Sequence, residues 1–236
     1  MSVAKSSPSL VDHSARPGVA LAATVILWLL GLSWSTTISV RLVSTSVVIA
    51  YVDESARPGP EGVYYLMTAG VVVGAEVDHA RRVLMKLQPP QGRFHWRQEG
   101  ERGRLAMLEV MAELGMAAFV TWDYPIGNRR QEPARRRCLT TLLDDLRHEG
   151  VDELVIERRH QALDHLDRQT ILDAQHAGLA PSNLLYRFEA PKIEPLLWVP
   201  DAIAGAVGMH LAGDSTYYDR LHLGGVLVVR RVAQRA

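Results

Sequence analysis

The sequence predicts an α/β domain in which a mixed sheet is covered by helices. Two runs rich in strand formers, VVIAYV at 47–52 and VYYLMTAGVVV at 63–73, lie on either side of a Pro- and Gly-rich stretch, the pattern of an antiparallel hairpin. After them, segments with apolar residues at helical spacing alternate with short apolar runs, which argues strands joined through covering helices. Hydrophobic residues make up 47% and charged residues 22% of the chain, which is globular composition with enough length for one well-buried core.

The first strand is expected to end at Val52, with Asp53 closing it and Ala56–Pro60 forming a loop. Gly70 within the second run is read as a bulge or bend. Helical spacing follows over Val77–Leu87 and stops at Pro89 and Pro90. In the next helix Leu105, Leu108, Met111 and Leu114 form one apolar stripe closed by Gly115. Met116–Trp122 reads as a strand stopped by Asp123, Tyr124 and Pro125. An amphipathic helix over Pro133–His148 then turns Leu139, Leu142, Leu143 and Leu146 inward. Asp152–Glu157 is apolar in its middle and charged at its ends, as a buried strand reaching the surface would be. A helix over Leu166–His176, a strand over Leu184–Phe188 and a helix over Pro200–Leu211 complete the order, the last with proline in its first turn.

The domain is thus expected over residues 47–224, preceded by an extension at 1–46 and followed by a tail at 225–236. Within the extension, Val19–Leu32 carries no charge, follows Lys5 and Arg16, and precedes small polar residues. Three readings fit that order: a start site assigned upstream of the true one, a signal peptide, or a weak membrane anchor. A span needs about 20 apolar residues, and a self-sufficient domain begins at Val47, so the first reading is preferred. It implies a cytoplasmic protein; the other two imply an exported or membrane-attached one.

The 26 Lys and Arg balance the 26 Asp and Glu, so no global field draws nucleic acid or acidic lipid to the whole protein. Attraction to nucleic acid would have to be local. Arginines do cluster, at Arg81, Arg82, Arg93, Arg97, Arg102 and Arg104 and again at Arg129, Arg130 and Arg135–Arg137, where a solvated helix face competes with a phosphate-facing surface. The single Cys138 excludes an intrachain disulfide and a multi-cysteine zinc site, and its leucine neighbours mark it as core. No GxSxG, Walker or GxGxxG motif is present, and the histidines lack metal-ligand spacing.

Acidic residues stand where elements are expected to end or begin: Asp53, Glu157 and Asp201. Strand ends and helix starts in an open sheet converge on one crevice, so these carboxylates can meet there. Hard oxygen ligands of this kind suit Mg²⁺ or Mn²⁺ and the hydrolysis of phosphodiesters. Each also has a structural reading: a turn at Asp53, an ion pair for Glu157 with Arg158 or Arg159, and a helix-dipole contact for Asp201. Because side chains alternate across a strand, only one of Asp53 and Glu54 can face the site, and Asp53 is preferred. His95 and Trp96 are read as core or capping residues before any catalytic or stacking role. Ala204, Gly205 and Gly208 lie beside Asp201 on the helix surface and allow it to approach the sheet closely.

YVDES at 51–55, the strand with Gly70–Val73, FHW at 94–96, VIERR at 155–159 and PDAIAGAV at 200–207 together resemble the bacterial family called domain of unknown function 3800. The match runs from about Val47 to Asp214. That resemblance implies a ribonuclease H-like fold and a metal-dependent nuclease, or a relative that keeps the fold as a nucleic-acid or protein-binding module. By position it implies Asp53, Glu157 and Asp201 as catalytic residues, and Asp53, Glu54, Glu157 and Asp201 as ligands of Mg²⁺ or Mn²⁺. Two departures are Ala56, where members often have Gly, and Ile156, where they often have Asp. Glu99, which follows His95 in RFHWRQE, is a candidate substitute for that missing acid, with an exposed helix-start Glu the preferred reading.

Overall fold

A computed structural model describes residues 46–127 and 131–233, which belong to the compact unit Ser44–Ala236. The apolar run at 19–32, with its three readings, lies outside the described residues, as do Arg129 and Arg130. Among the described residues no helix is long and apolar enough to cross a membrane.

The chain order is β1 (Val48–Gly59), β2 (Gly62–Val73), α1 (Val77–Met85), α2 (Glu101–Glu113), β3 (Ala117–Ile126), α3 (Gln131–His148), β4 (Glu153–Glu157), α4 (Gln161–His176), β5 (Leu185–Glu189), α5 (Trp198–Leu211), α6 (Thr216–Leu223) and β6 (Leu227–Arg231). The strands form one six-stranded mixed sheet in the order β5-β4-β1-β2-β3-β6. β1, β2 and β3 are an antiparallel meander, β4 runs parallel to β1, β5 to β4, and β6 to β3.

Alternation along β1 sorts the two cores. Tyr51 packs with α1, α2, α5 and α6, whereas Ala50 and Val52 pack with α3 and α4 on the opposite face. The sheet is therefore buried on both faces, which is why Val155 enters one core while Leu154 and Ile156 enter the other. Cys138 is fully buried among the α3 leucines, as its neighbours imply.

Several sequence expectations need correcting. β1 does not stop at Val52: its ladder with β2 continues to Gly59 opposite Gly62, and Ala56–Gly59, read as loop, is strand. β1 pairs with β4 only over Ile49–Val52, so beyond that point its far edge is open, and an open edge tolerates the missing N–H of Pro58. β3 likewise continues through Asp123 and Tyr124 to Ile126, with the Tyr124 ring stacked on Tyr64 at 3.8 Å between centroids. Gly70 makes no bulge, since it pairs in register with Tyr51 and Ala118. A Cβ there would stand 2.5 Å from Cγ1 of Val199, so this glycine admits the start of α5 against the sheet.

The tail at 225–236 is not outside the domain. Leu227–Arg231 adds β6 beside β3 and covers what would be that strand's open edge. The preceding helix α6 was not anticipated either; it buries Tyr217 and Leu221, four residues apart, against the α5 side.

Candidate functional site

The site lies where β1 parts from β4. Asp53 is the first β1 residue beyond the β4 pairing, and Glu157 is the last residue of β4. Asp53 follows Tyr51, and Glu157 follows Val155, at the alternate positions that face the α5 side of the sheet, and Asp201 lies in the first turn of that helix. Thr68 ties the three elements together. It is opposite Asp53 in the β1–β2 ladder, and its hydroxyl lies 2.9 Å from the Pro200 carbonyl and 3.3 Å from that of Asp53. A cleft of about 480 Å³ opens there, lined by Asp53, Glu157, Asp201, His95, Arg93 and Arg97 among others.

Asp53 is buried, 8% exposed, and accepts the Glu54 N–H at 2.7 Å. Burial holds its carboxyl well above the usual carboxylate range, and the nearby charges of Glu157, Glu54 and Asp201 push it further the same way. Glu157 is raised too, first by burial and then by Glu54 and Asp201, against the opposing guanidinium of Arg93 at 3.8 Å. The two carboxyls are thus raised together, by burial and by the acidic groups around them. A cation held between them would relieve the same repulsion.

Asp201 is the organiser of the α5 side. Its Oδ2 accepts the Trp96 backbone N–H at 2.8 Å and faces His95 Nδ1 at 3.1 Å. That hydrogen bond, above all, raises the His95 imidazole above its ordinary value. His95, a third exposed, is thus fixed at its Nδ1 end inside the cleft and is a site residue rather than core. Trp96 is core, as expected, with its ring edge-on to Tyr217 at 5.0 Å and Arg104 5.0 Å above it.

The stripe of small residues on α5 has a more specific use than close approach to the sheet. A Cβ on Gly205 would stand 2.2 Å from Trp96 ring atoms, and one on Gly208 would stand 2.6 Å from Arg57 Cδ and Nε. Asp201, Gly205 and Gly208 share a helix face by their spacing of four and three. One face therefore holds the backbone of residue 96, its ring, and Arg57.

Glu54, expected as a fourth ligand, lines the same cleft from the opposite sheet face, where it pairs with the buried guanidinium of Arg135. Arg135 also grips Asp167 through two hydrogen bonds of 2.8 Å, and Arg159 joins the same network through Glu132 and Asp167. Sequence reading missed this cluster because a buried arginine inside a basic run looks like one more solvated charge. Of the described arginines that follow it in this run, Arg136 pairs with Asp173 and Arg137 with Asp123. Ile156 faces the α3–α4 core, so an Asp at that position would not join Asp53 and Glu157 on their face. Glu99 does not replace it, being hydrogen-bonded to Gln91 ahead of α2 and away from the cleft lining.

No family model, curated protein or solved structure matches the chain. The likeness to the domain of unknown function 3800 thus rests on the order of its motifs alone.

The donor set of Asp53, Glu157 and Asp201, all hard carboxylate oxygens, fits Mg²⁺ or Mn²⁺ in chemistry. In arrangement, no group of three His, Cys, Asp or Glu among the described residues is set as a closed metal-binding group. Asp201 is turned toward Trp96 and His95, which leaves the Asp53–Glu157 pair as the nucleus of any cation site.

Proposed function

We propose that the domain is a ribonuclease H-like, metal-dependent nuclease that hydrolyses phosphodiester bonds in RNA or DNA. The observation that carries the reading is the meeting of Asp53, Glu157 and Asp201 on one sheet face, with Asp53 desolvated and held above the carboxylate range by its acidic neighbours. An antiparallel meander continued by two strands parallel to its first supports the fold part of the reading. The motif order supports the activity.

Asp53 and Glu157 would hold Mg²⁺ or Mn²⁺, with Asp201 at the edge of the same cleft. Bound there, such an ion supplies an activated water and stabilises charge on the phosphoryl oxygens. The protein's own groups account for the rest. Asp53 and Glu157, whose affinity for protons is raised, would release protons as a cation is taken up. Asp201 fixes His95 at Nδ1, so proton exchange with a bound substrate falls to Nε2. Arg93, beside Glu157, offsets negative charge at the mouth of the cleft.

The test is titration of the full chain with Mg²⁺ and Mn²⁺, following thermal stability and cleavage of a mixed DNA and RNA panel, beside Asp53→Asn and Asp201→Asn. Metal-dependent cleavage lost in both variants is the expected result. A chain with neither metal-dependent stabilisation nor cleavage would instead be the binding module of the same fold.

A further inference from the structure

We propose that Arg57, Arg97 and Arg104 form a phosphate-binding site beside the carboxylate cleft, one that holds the backbone of a nucleic-acid strand. The identity of the ligand rests on the nuclease reading; the site itself rests on the geometry of the three arginines.

Arg57 follows Asp53 and Ser55 at alternate positions of β1 and so lies on the α5 face. Its side chain lies flat on α5 at Gly208, where the absence of a Cβ leaves room for Cδ and Nε. That Nε is buried and has no hydrogen-bond partner among the described residues. Arg97 donates from Nη2 to the carbonyl of Ala56 at 2.7 Å, which brings it to the residue next to Arg57. Arg104 donates from Nε to the Trp96 carbonyl at 3.1 Å and lies over the ring that Gly205 seats, one helical turn from Gly208.

Three guanidiniums are thus gathered on one patch, and none is in an ion pair among the described residues. Arg81, Arg135 and Arg159, which are also partly or fully buried, each have a carboxylate instead. Burial and the charges of Arg97 and Arg104 both disfavour the charged form of Arg57, and Asp201 offsets them only in part. An arrangement that crowds like charges and leaves a buried N–H open is stabilised by an anion with several acceptor oxygens. Phosphate, with several acceptor oxygens, meets the requirement by bridging neighbouring guanidiniums. Arg97 also lines the carboxylate cleft, so a phosphate held there is the neighbour of whatever group lies against Asp53 and Glu157. Carboxylates repel a polyanion; cations at this place hold its backbone against that repulsion.

The test is binding of fluorescently labelled single-stranded DNA and RNA oligonucleotides to the full chain in EDTA, by anisotropy over a range of salt, with inorganic phosphate as a second probe followed by thermal shift. Arg57→Gln and Arg97→Gln are each expected to weaken oligonucleotide binding about tenfold and to lower the salt slope by about one. Arg136→Gln, an exposed change on α3, is expected to leave both nearly unchanged. Arg97 is exposed, so its variant keeps the test decisive if Arg57→Gln lowers stability. Affinity and slope equal to those of the parent in both variants, or no oligonucleotide binding by the parent, overturn the proposal. Arg57-dependent stabilisation by inorganic phosphate without oligonucleotide binding overturns its nucleic-acid ligand. Because binding is read without cleavage, Arg57-dependent binding by a chain that never cleaves removes the nuclease reading alone, and metal-dependent cleavage without any Arg57 or Arg97 dependence removes this site alone.

Discussion

Replacing Gly205 by alanine tests the packing that positions the site. A Cβ there would lie 2.2 Å from Cγ and Cδ2 of Trp96 and 2.5 Å from Cδ1, whereas carbon atoms in contact prefer about 3.5–4.0 Å. The indole has little room to retreat: it is 1% exposed, edge-on to Tyr217, covered by Arg104, and its backbone N–H is held by Asp201. Overpacking of this kind costs about 1–3 kcal/mol, and contact with three ring atoms belongs at the upper end. Alanine recovers about 1 kcal/mol over glycine in a helix interior. The net expectation is destabilisation by about 2 kcal/mol, or about 4–8 °C in Tm for a domain of this size. Thermal and urea unfolding followed by circular dichroism measure it. Gly208→Ala is the control, because its Cβ meets the flexible Arg57 side chain and the helix gain offsets that contact to near neutrality. A Gly205→Ala protein as stable as the parent, or more stable, would refute a tight Trp96 seat and with it the account of how residues 94–97 are fixed on Asp201.

In the presence of a chelator, the Asp53 carboxyl, raised above its unfolded value of about 3.9, makes the folded state bind more protons than the unfolded one. Stability from this group is therefore greatest at low pH and falls as pH rises toward the folded pKa, and Asp53→Asn is expected to remove that fall; Tm measured from pH 4 to pH 8 in both proteins decides it, parallel curves counting against the claim. Arg135→Ala leaves Glu54 and Asp167 without their buried partner, and should cost about 3–5 kcal/mol in urea unfolding. A loss below about 1 kcal/mol there would place the network among the ordinary surface ion pairs.

The α/β class, the hairpin, the alternation of helices and strands and most of the core were legible in the sequence, because periodicity and β-branched runs report directly on which residues must leave water. The choice of Asp53 over Glu54 was legible for the same reason: a strand can present only one of two successive residues to a given face, and Glu54 indeed meets Arg135 on the other. Tertiary structure alone decided where β1 and β3 end, since pairing with β2 carries both past residues that would turn a free chain. It alone recruited 227–231 as β6, a run too short to declare itself without the open edge of β3. It also assigned the charges. Whether an arginine is solvated, paired like Arg135 or crowded beside Arg97 and Arg104 like Arg57 depends on which groups distant segments bring within a few ångströms, and local sequence holds no record of that distance.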